Sequence, residues 1–274
     1  MNVAILMNGA IARVSGKFER LGQLYRDGAY VNYKAIYNSI DRHIIQTNKN
    51  CTFSFFMHGW NYDIEKELID IYNPLQHCLE NNSIYESEIT QKLDKFNSAP
   101  HQFALCSRWL SIKKVSDLFE KYVHDNSKTY DLVILYRPDI MLWKDLVLSN
   151  YNKESITANS KNVMHNYAGD FHWVLNPTTL EKFKMRYELD SPPHGWNVES
   201  HTSTSGWMKY VNTEFGIPID MDDIEAGIHQ APIRYINCDP GVCNTPVKAG
   251  SVTQDQLYSY GFTKEEIDSY TNIF

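Results

Sequence analysis

An arginine and an aspartate frame a proline directly after a short apolar run in the middle of the chain. The run covers residues 132–136 and leads into Arg137, Pro138 and Asp139. A guanidinium binds phosphate oxygens well, and a carboxylate can accept a hydroxyl hydrogen or ligate a divalent cation. The same two side chains can also form an ion pair that only caps a strand. The segment therefore indicates either a site for phosphate or metal chemistry or a structural ion pair.

Polar residues also follow two other apolar runs, 3–7 and 52–57, which have the length of buried strands. They are Asn8, Gly9 and Arg13 after the first run, and His58, Trp60 and Asn61 after the second. If the three strands are parallel neighbours, their carboxyl ends meet at one edge of the sheet, where open α/β sheets bind ligands. The prediction is a single site at that edge.

The first half of the chain alternates between strand and helical spacing, which predicts an α/β fold with a parallel sheet. The strand runs are 3–7, 52–57 and 130–142, and the helical runs are 33–45, 64–72 and 103–122. Pro138 cannot continue a central strand, so Asp139 is expected at or just past a strand end. The polar segment 80–98 is expected to cover the sheet edge as a loop or short helix.

The second half predicts further strands and helices of the same kind. One helix is expected at 177–187, with Thr178 as its N-cap, and a second helix at 204–215. Short strands are expected at 171–175 and 233–236. A small terminal helix should begin at Thr263, where Glu266 completes a capping box.

The composition narrows the function classes. A net charge of −7 over 274 residues removes the usual electrostatic basis for binding nucleic acid. Five cysteines without a CxxC pair indicate reduced thiols, and the apolar start of the chain lacks the features of a signal peptide. No stretch has the length of a transmembrane segment. The expectation is a cytoplasmic protein, either free or held at a membrane by a partner.

Several common catalytic motifs are missing from the sequence. It has no Walker loop, no GxGxxG after the first strand, no GxSxG elbow and no HExxH. P-loop phosphoryl transfer, standard dinucleotide binding and the corresponding hydrolase mechanisms therefore lack support.

The residues do resemble the GT-A-fold glycosyltransferases of bacterial surface-polysaccharide clusters and large viruses. The similar features are a Gly-containing loop with an arginine after the first strand, a His-x-Trp segment, an "LY-P" helix, a helix with Gln and Ser-Arg, and a "YD-V---R-D" segment. In this chain the loop contains Gly9 and Arg13, and the His-x-Trp segment is FFMHGWN. The "LY-P" helix is 68–74, the helix with Gln and Ser-Arg is 102–108, and the "YD-V---R-D" segment is 130–139. Together these motifs span about half of the chain.

This resemblance implies a GT-A-like, Rossmann-like fold with a mixed, mainly parallel sheet flanked by helices, as one domain over 1–274. Residues 1–145 would bind a nucleoside diphosphate sugar and 146–274 a saccharide acceptor. Asp139 would ligate manganese or magnesium in the place of a DxD-type acid, although Arg137 stands where such a motif has its first aspartate. The donor-binding residues would be Asn8, Gly9, Arg13, His58, Trp60, Arg108 and Arg137.

The resemblance also assigns residues to the acceptor side. Asp170 would be the base that deprotonates an acceptor hydroxyl, although a turn residue before a strand fits its position equally. Trp173, Trp196 and Glu199 would contact the acceptor or form a lid. His201 would join Asp139 at the metal.

Two other functions fit parts of the same pattern. A sugar-nucleotide nucleotidyltransferase would need a Gly-rich first loop with a lysine, of which Gly16 and Lys17 form a faint version. A catalytically silent, glycan-binding relative would keep the fold and the aromatic residues but lack a complete DxD motif.

Overall fold

The computed structural model describes residues 1–11, 30–95, 103–161, 167–189, 204–222, 230–232 and 250–268. Its strands are β1 (Asn2–Gly9), β2 (Thr52–Gly59), β3 (Gln76–Leu79), β4 (Leu132–Tyr136), β5 (Ile140–Leu142), β6 (Ile156–Lys161), β7 (Tyr167–Leu175), β8 (Ile219–Met221) and β9 (Gln230–Pro232). Its α-helices are α1 (Tyr33–Ile40), α2 (Glu65–Tyr72), α3 (Glu86–Lys95), α4 (Phe103–Asn126), α5 (Pro177–Glu188), α6 (Thr204–Phe215), α7 (Gln254–Tyr260) and α8 (Lys264–Asp268).

Seven of the described strands form one sheet in the order β3-β2-β1-β4-β7-β6-β8. β1 pairs in parallel with both β2 and β4, β2 pairs in parallel with β3, and β6 pairs in parallel with β8. β7 runs antiparallel to β4 and β6. The predicted α/β fold with a mixed, mainly parallel sheet flanked by helices is therefore confirmed.

Each face of the sheet carries its own hydrophobic core, because neighbouring residues of a strand point to opposite faces. Val3, Ile5 and Met7 of β1 belong to the core that includes residues of α1 and α7. Ala4 and Leu6 belong to the core that includes residues of α4, α5 and α6. Burial on both faces explains why the sequence of β1 is continuously apolar.

The predicted strand over 130–142 is two strands that lie in different sheets. β4 ends at Tyr136, and a turn closed by the Ile140 N–H donating to the Arg137 carbonyl separates it from β5. β5 pairs with β9 in a second, two-stranded sheet. Pro138 has no N–H to continue the ladder, so the chain leaves the main sheet there. This places Asp139 just past a strand end, as the sequence predicts.

Three other sequence predictions have mixed outcomes. The segment 80–98 contains α3, and the capping box of Thr263 and Glu266 is present, with each backbone N–H donating to the other side chain. The sequence did not predict β3 or β8, which are short and partly polar. The strand predicted over 233–236 lies outside the described residues.

The N-cap of α5 is Asn176 and not Thr178. The Asn176 side chain accepts a hydrogen bond from the Thr179 N–H at 2.7 Å, and its amide donates to the Lys153 carbonyl. Pro177 then occupies the first turn, where its missing N–H costs nothing. Thr178 lies inside the helix and is exposed.

Replacing the true cap should destabilise the protein more than replacing the predicted one. We expect Asn176→Ala to lower the free energy of unfolding by about 0.5–2 kcal/mol, because a helix N–H and the Lys153 carbonyl lose their partner. Thr178→Ala should change it by only a few tenths of a kcal/mol or less, as at most exposed sites. Urea unfolding of both variants measures the difference, and equal losses would contradict this cap assignment.

Candidate functional site

The carboxyl ends of β1, β2 and β4 meet at one edge of the sheet. Asn8 lies opposite His58 and Gly9 opposite Gly59 in the parallel pairing of β1 with β2. On the other side of β1, Met7 lies opposite Tyr136, the last residue of β4. The three polar segments singled out in the sequence therefore lie side by side.

Asn8 connects the end of β1 to β4 and to α4. Its buried side-chain amide donates to the Tyr136 carbonyl at 3.1 Å and to the Leu6 carbonyl at 3.2 Å. Its side-chain oxygen accepts from Arg108 Nε at 3.3 Å. The Arg108 guanidinium lies 4.6 Å from the centre of the Trp173 ring, a distance typical of a cation–π contact. A cation is thus held beside the end of β1.

The loop after β1 begins in a tightly determined conformation. Gly9 has a φ of +104°, which disfavours side chains, and its N–H donates to Ser111 Oγ at 2.8 Å. A Cβ on Gly59 would lie 2.7 Å from the Gly9 carbonyl oxygen, so only glycine lets the two strand ends approach this closely. Asn61 then accepts from the Ile11 N–H at 2.6 Å and donates to the Ile11 carbonyl at 3.1 Å.

Arg137 and Asp139 form a two-pronged ion pair at the end of β4. Arg137 Nε lies 3.0 Å from Asp139 Oδ1, and Arg137 Nη2 lies 2.8 Å from Asp139 Oδ2. The Asp139 side chain is 3% exposed and that of Arg137 14%. Arg137 also lies over the Phe171 ring, with 5.3 Å from its guanidinium carbon to the ring centre. Asp139 is therefore buried and Arg137 partly buried, with the carboxylate further from solvent than the guanidinium.

His58 lies in a buried polar network rather than in an open groove. Its Nδ1 lies 2.8 Å from Ser111 Oγ, and its Nε2 lies 2.9 Å from Glu80 Oε1. Lys114 Nζ lies 2.9 Å from the same Glu80 oxygen, while the Tyr85 hydroxyl donates to the other one at 2.7 Å. These donors hold the pKa of Glu80 down at about 2 against the opposing effect of burial.

The two tryptophans that the structure describes among the predicted site residues are packed in the core. Trp60 is 9% exposed and meets the His58 ring edge-on at 4.7 Å. Trp173 is 1% exposed and stacks on Trp109, with the ring centres 5.9 Å apart. Trp173 thus packs beneath Arg108, and its predicted acceptor or lid role stays a prediction.

A buried imidazole–carboxylate pair was not predicted. His172 Nε2 lies 2.7 Å from Asp222 Oδ2, which also accepts from the Tyr151 hydroxyl at 3.1 Å. The His172 ring stacks on Tyr136, so the pair lies close to the end of β4. His172 and Asp222 are 50 positions apart, so no local sequence pattern joins them.

Several predicted site residues cannot be placed relative to this edge. Arg13, Trp196, Glu199 and His201 lie outside the described residues. Asp170 lies in β7, of which only the backbone is described at this position. Their predicted roles stay predictions.

The surroundings of Asp139 do not provide a ready metal site in the part of the chain that is described. Both carboxylate oxygens are within hydrogen-bond distance of Arg137. Within the described ranges, the group of three close His, Cys or acidic side chains lies at His58, Cys78 and Glu80, and not at Asp139. We therefore derive no catalytic step through a metal at Asp139.

Comparisons with known proteins find similarity in structure but none in sequence. No protein-family model and no curated protein matches the sequence. The chain is similar in structure to mouse xyloside xylosyltransferase 1, with a TM-score of 0.43 and 6% identity over 82% of this chain and 86% of the mouse chain. At this TM-score the function has to be inferred from the residues of this chain. In the described parts, no helix is both long and apolar enough to span a bilayer.

The buried state of His58 makes folding stability depend on pH. Burial lowers the pKa of His58 to about 4 from 6.5, outweighing the opposing effect of Glu80. Between these two values the unfolded chain binds more protons than the folded one, so stability present above pH 6.5 is lost as the pH falls toward 4. We expect His58→Gln to make this decline shallower in chemical unfolding at a series of pH values.

A matched control uses a histidine that makes no buried contact. His124 has a side chain that is 90% exposed, so His124→Gln should keep the wild-type pH slope. A His58→Gln variant with the full wild-type slope would show that His58 is not the group responsible.

Proposed function

We propose that the protein is a glycosyltransferase that moves a sugar from a nucleoside diphosphate sugar to a saccharide acceptor. The observation that supports the proposal is that Arg108, Arg137 and the carboxylate of Asp139 lie at the adjacent carboxyl ends of β1, β2 and β4. Ligands bind at this edge in open α/β sheets. The sequence resemblance to GT-A-fold glycosyltransferases independently points to the same residues.

The leaving group of such a transfer is a nucleoside diphosphate, which must be stabilised as its negative charge grows. Arg108 and Arg137 are held in place before the ligand arrives, by Asn8 and Trp173 in one case and by Asp139 and Phe171 in the other. Guanidinium groups fixed in this way stabilise developing charge without a cost of reorganisation. Arg13 is proposed to add a third cation from the loop after β1.

Asp139 has a positioning role in this proposal. Its carboxylate holds the Arg137 guanidinium through two hydrogen bonds, which keep the guanidinium from turning away. A divalent manganese or magnesium ion at Asp139, joined by His201, stays a separate prediction. If bound, the ion would supply further positive charge for the diphosphate.

The engagement of Asp139 by Arg137 also favours a second candidate function. Both oxygens of the Asp139 carboxylate are hydrogen-bonded to Arg137, which leaves them less able to bind a catalytic metal. This arrangement fits a catalytically silent relative that binds a nucleotide sugar or glycan without transferring it. Such a protein would bind the same ligands and release no nucleoside diphosphate, so turnover separates the two candidates.

Turnover should depend on the Arg137–Asp139 pair. We expect the wild-type protein, given a mixture of nucleoside diphosphate sugars and oligosaccharides, to release one nucleoside diphosphate and a lengthened glycan, both detected by mass spectrometry. Asp139→Asn should reduce this rate at least a hundredfold, because a neutral amide cannot hold Arg137 through two charged hydrogen bonds.

The matched control lies at the opposite end of the same strand. Asp131 precedes β4 and bonds the Asn2 N–H at 2.8 Å, far from the carboxyl edge. Asp131→Asn should keep the wild-type rate, and circular dichroism should show both variants folded. Full activity of folded Asp139→Asn would remove this pair from the mechanism, and binding without turnover in the wild type would favour the silent relative.

A further inference from the structure

The carboxyl end of β2 and the edge strand β3 place three potential metal ligands on one face of the sheet. His58 lies directly opposite Cys78 in the parallel pairing of β2 with β3. Opposite residues of paired strands share a face, and so do residues two apart along an extended chain, which adds Glu80. The ligand atoms of these three side chains all lie within 4.8 Å of one another.

From this geometry we propose that His58, Cys78 and Glu80 bind a thiophilic divalent cation, with zinc as the preferred ion. Nitrogen, sulfur and carboxylate oxygen are the ligands that zinc takes in proteins. Zinc bond lengths of roughly 2.0–2.3 Å put the ligand atoms of a tetrahedral site about 3.3–3.8 Å apart. His58 Nε2 and Glu80 Oε1 are 2.9 Å apart, close to this spacing, so forming the site needs only small side-chain movements.

The surroundings of the three residues fit this ligand set. Metal-bound histidines generally donate their other ring N–H to a fixed partner. Ser111 Oγ lies 2.8 Å from His58 Nδ1 and 3.0 Å from the His58 carbonyl oxygen. The serine can therefore donate its hydrogen to that carbonyl and accept one from Nδ1, which leaves Nε2 free for the ion. Glu80 is steadied through its second oxygen by the Tyr85 hydroxyl.

The fourth coordination position would be open to solvent. His58 is buried, whereas Cys78 is only partly buried and the Glu80 side chain is 19% exposed. An ion can thus enter from the β3 edge and keep a water molecule. These three ligands do not include Arg108, Arg137 or Asp139, which the proposed transfer uses.

The first testable property of the site is the number of protons released when a metal ion binds. A cysteine thiol has an ordinary pKa of about 8.5 and binds zinc as the thiolate, so it loses its proton on binding. A histidine binds zinc as the neutral imidazole. Binding would release the thiol proton to solvent, while the imidazole proton moves from Nε2 to Nδ1. Each bound ion therefore releases one proton.

Lys114 opposes the ion and provides a second signature. Its ammonium lies 2.9 Å from Glu80 Oε1 and 2.6 Å from the Tyr85 hydroxyl, so it competes for the carboxylate and repels a cation. Removing this charge by Lys114→Gln should tighten metal binding severalfold. Most changes near a metal site weaken it, so the sign of this effect is specific to the proposed position.

The experiment titrates the full chain, first stripped of metal, with Co²⁺ and Zn²⁺. Cobalt bound to a thiolate gives a charge-transfer band in the near ultraviolet, which should appear at one equivalent and vanish on adding zinc. Calorimetry at pH 7.5 in buffers of different ionisation enthalpy should give one proton released per zinc. Cys78→Ser should lose the band and weaken zinc binding at least tenfold.

A second cysteine provides the matched control for Cys78→Ser. Cys51 is also a partly buried free thiol, and Cys51→Ser should leave the band and the zinc affinity unchanged. A band that survives in folded Cys78→Ser, or no zinc binding by the wild-type protein, would overturn the proposal. Unchanged or weaker binding in Lys114→Gln would overturn the position of the ion beside Glu80.

Discussion

The burial of β1 between two parallel neighbours is the constraint on which the candidate site depends. Its residues from Val3 to Gly9 are buried, so the strand cannot slide by one position without turning its apolar side chains to the wrong face. This fixed register places Asn8 where its amide reaches the Tyr136 carbonyl and its oxygen reaches Arg108. The geometry of the strand ends thus follows from the packing of the strand.

One stripe of residues on α4 contacts the carboxyl ends of β1, β2 and β3. Arg108, Ser111 and Lys114 follow at intervals of three, a spacing that keeps neighbours on one helix face. Arg108 bonds Asn8 of β1, Ser111 lies within hydrogen-bond distance of His58 of β2, and Lys114 lies beside Glu80 after β3. The helix therefore couples the arginine of the proposed transfer site to the proposed metal site, although the two use different ligands.

The sequence predicted the parts of this arrangement that depend on buried apolar runs. The convergence of Asn8, His58 and Asp139 followed from strand order alone, because parallel strands end at the same edge. The burial of each side chain was not predictable, since an aromatic-rich sequence does not reveal which rings face the core, as Trp173 does. The antiparallel pairing of β7 places His172 opposite Tyr136 of β4, whereas Asp222 follows β8, so only the folded sheet joins the two residues.

The most direct test of the central claim is hydrogen exchange of the full chain with and without a panel of nucleoside diphosphates and their sugars. A ligand at the carboxyl edge should protect the backbone amides of 8–11, 58–61, 137, 139 and 140, and leave those of 128–132 at the opposite edge unchanged. Ligand binding slows exchange by stabilising the native state locally. Protection confined to the opposite edge, or no protection by any nucleotide, would contradict the account.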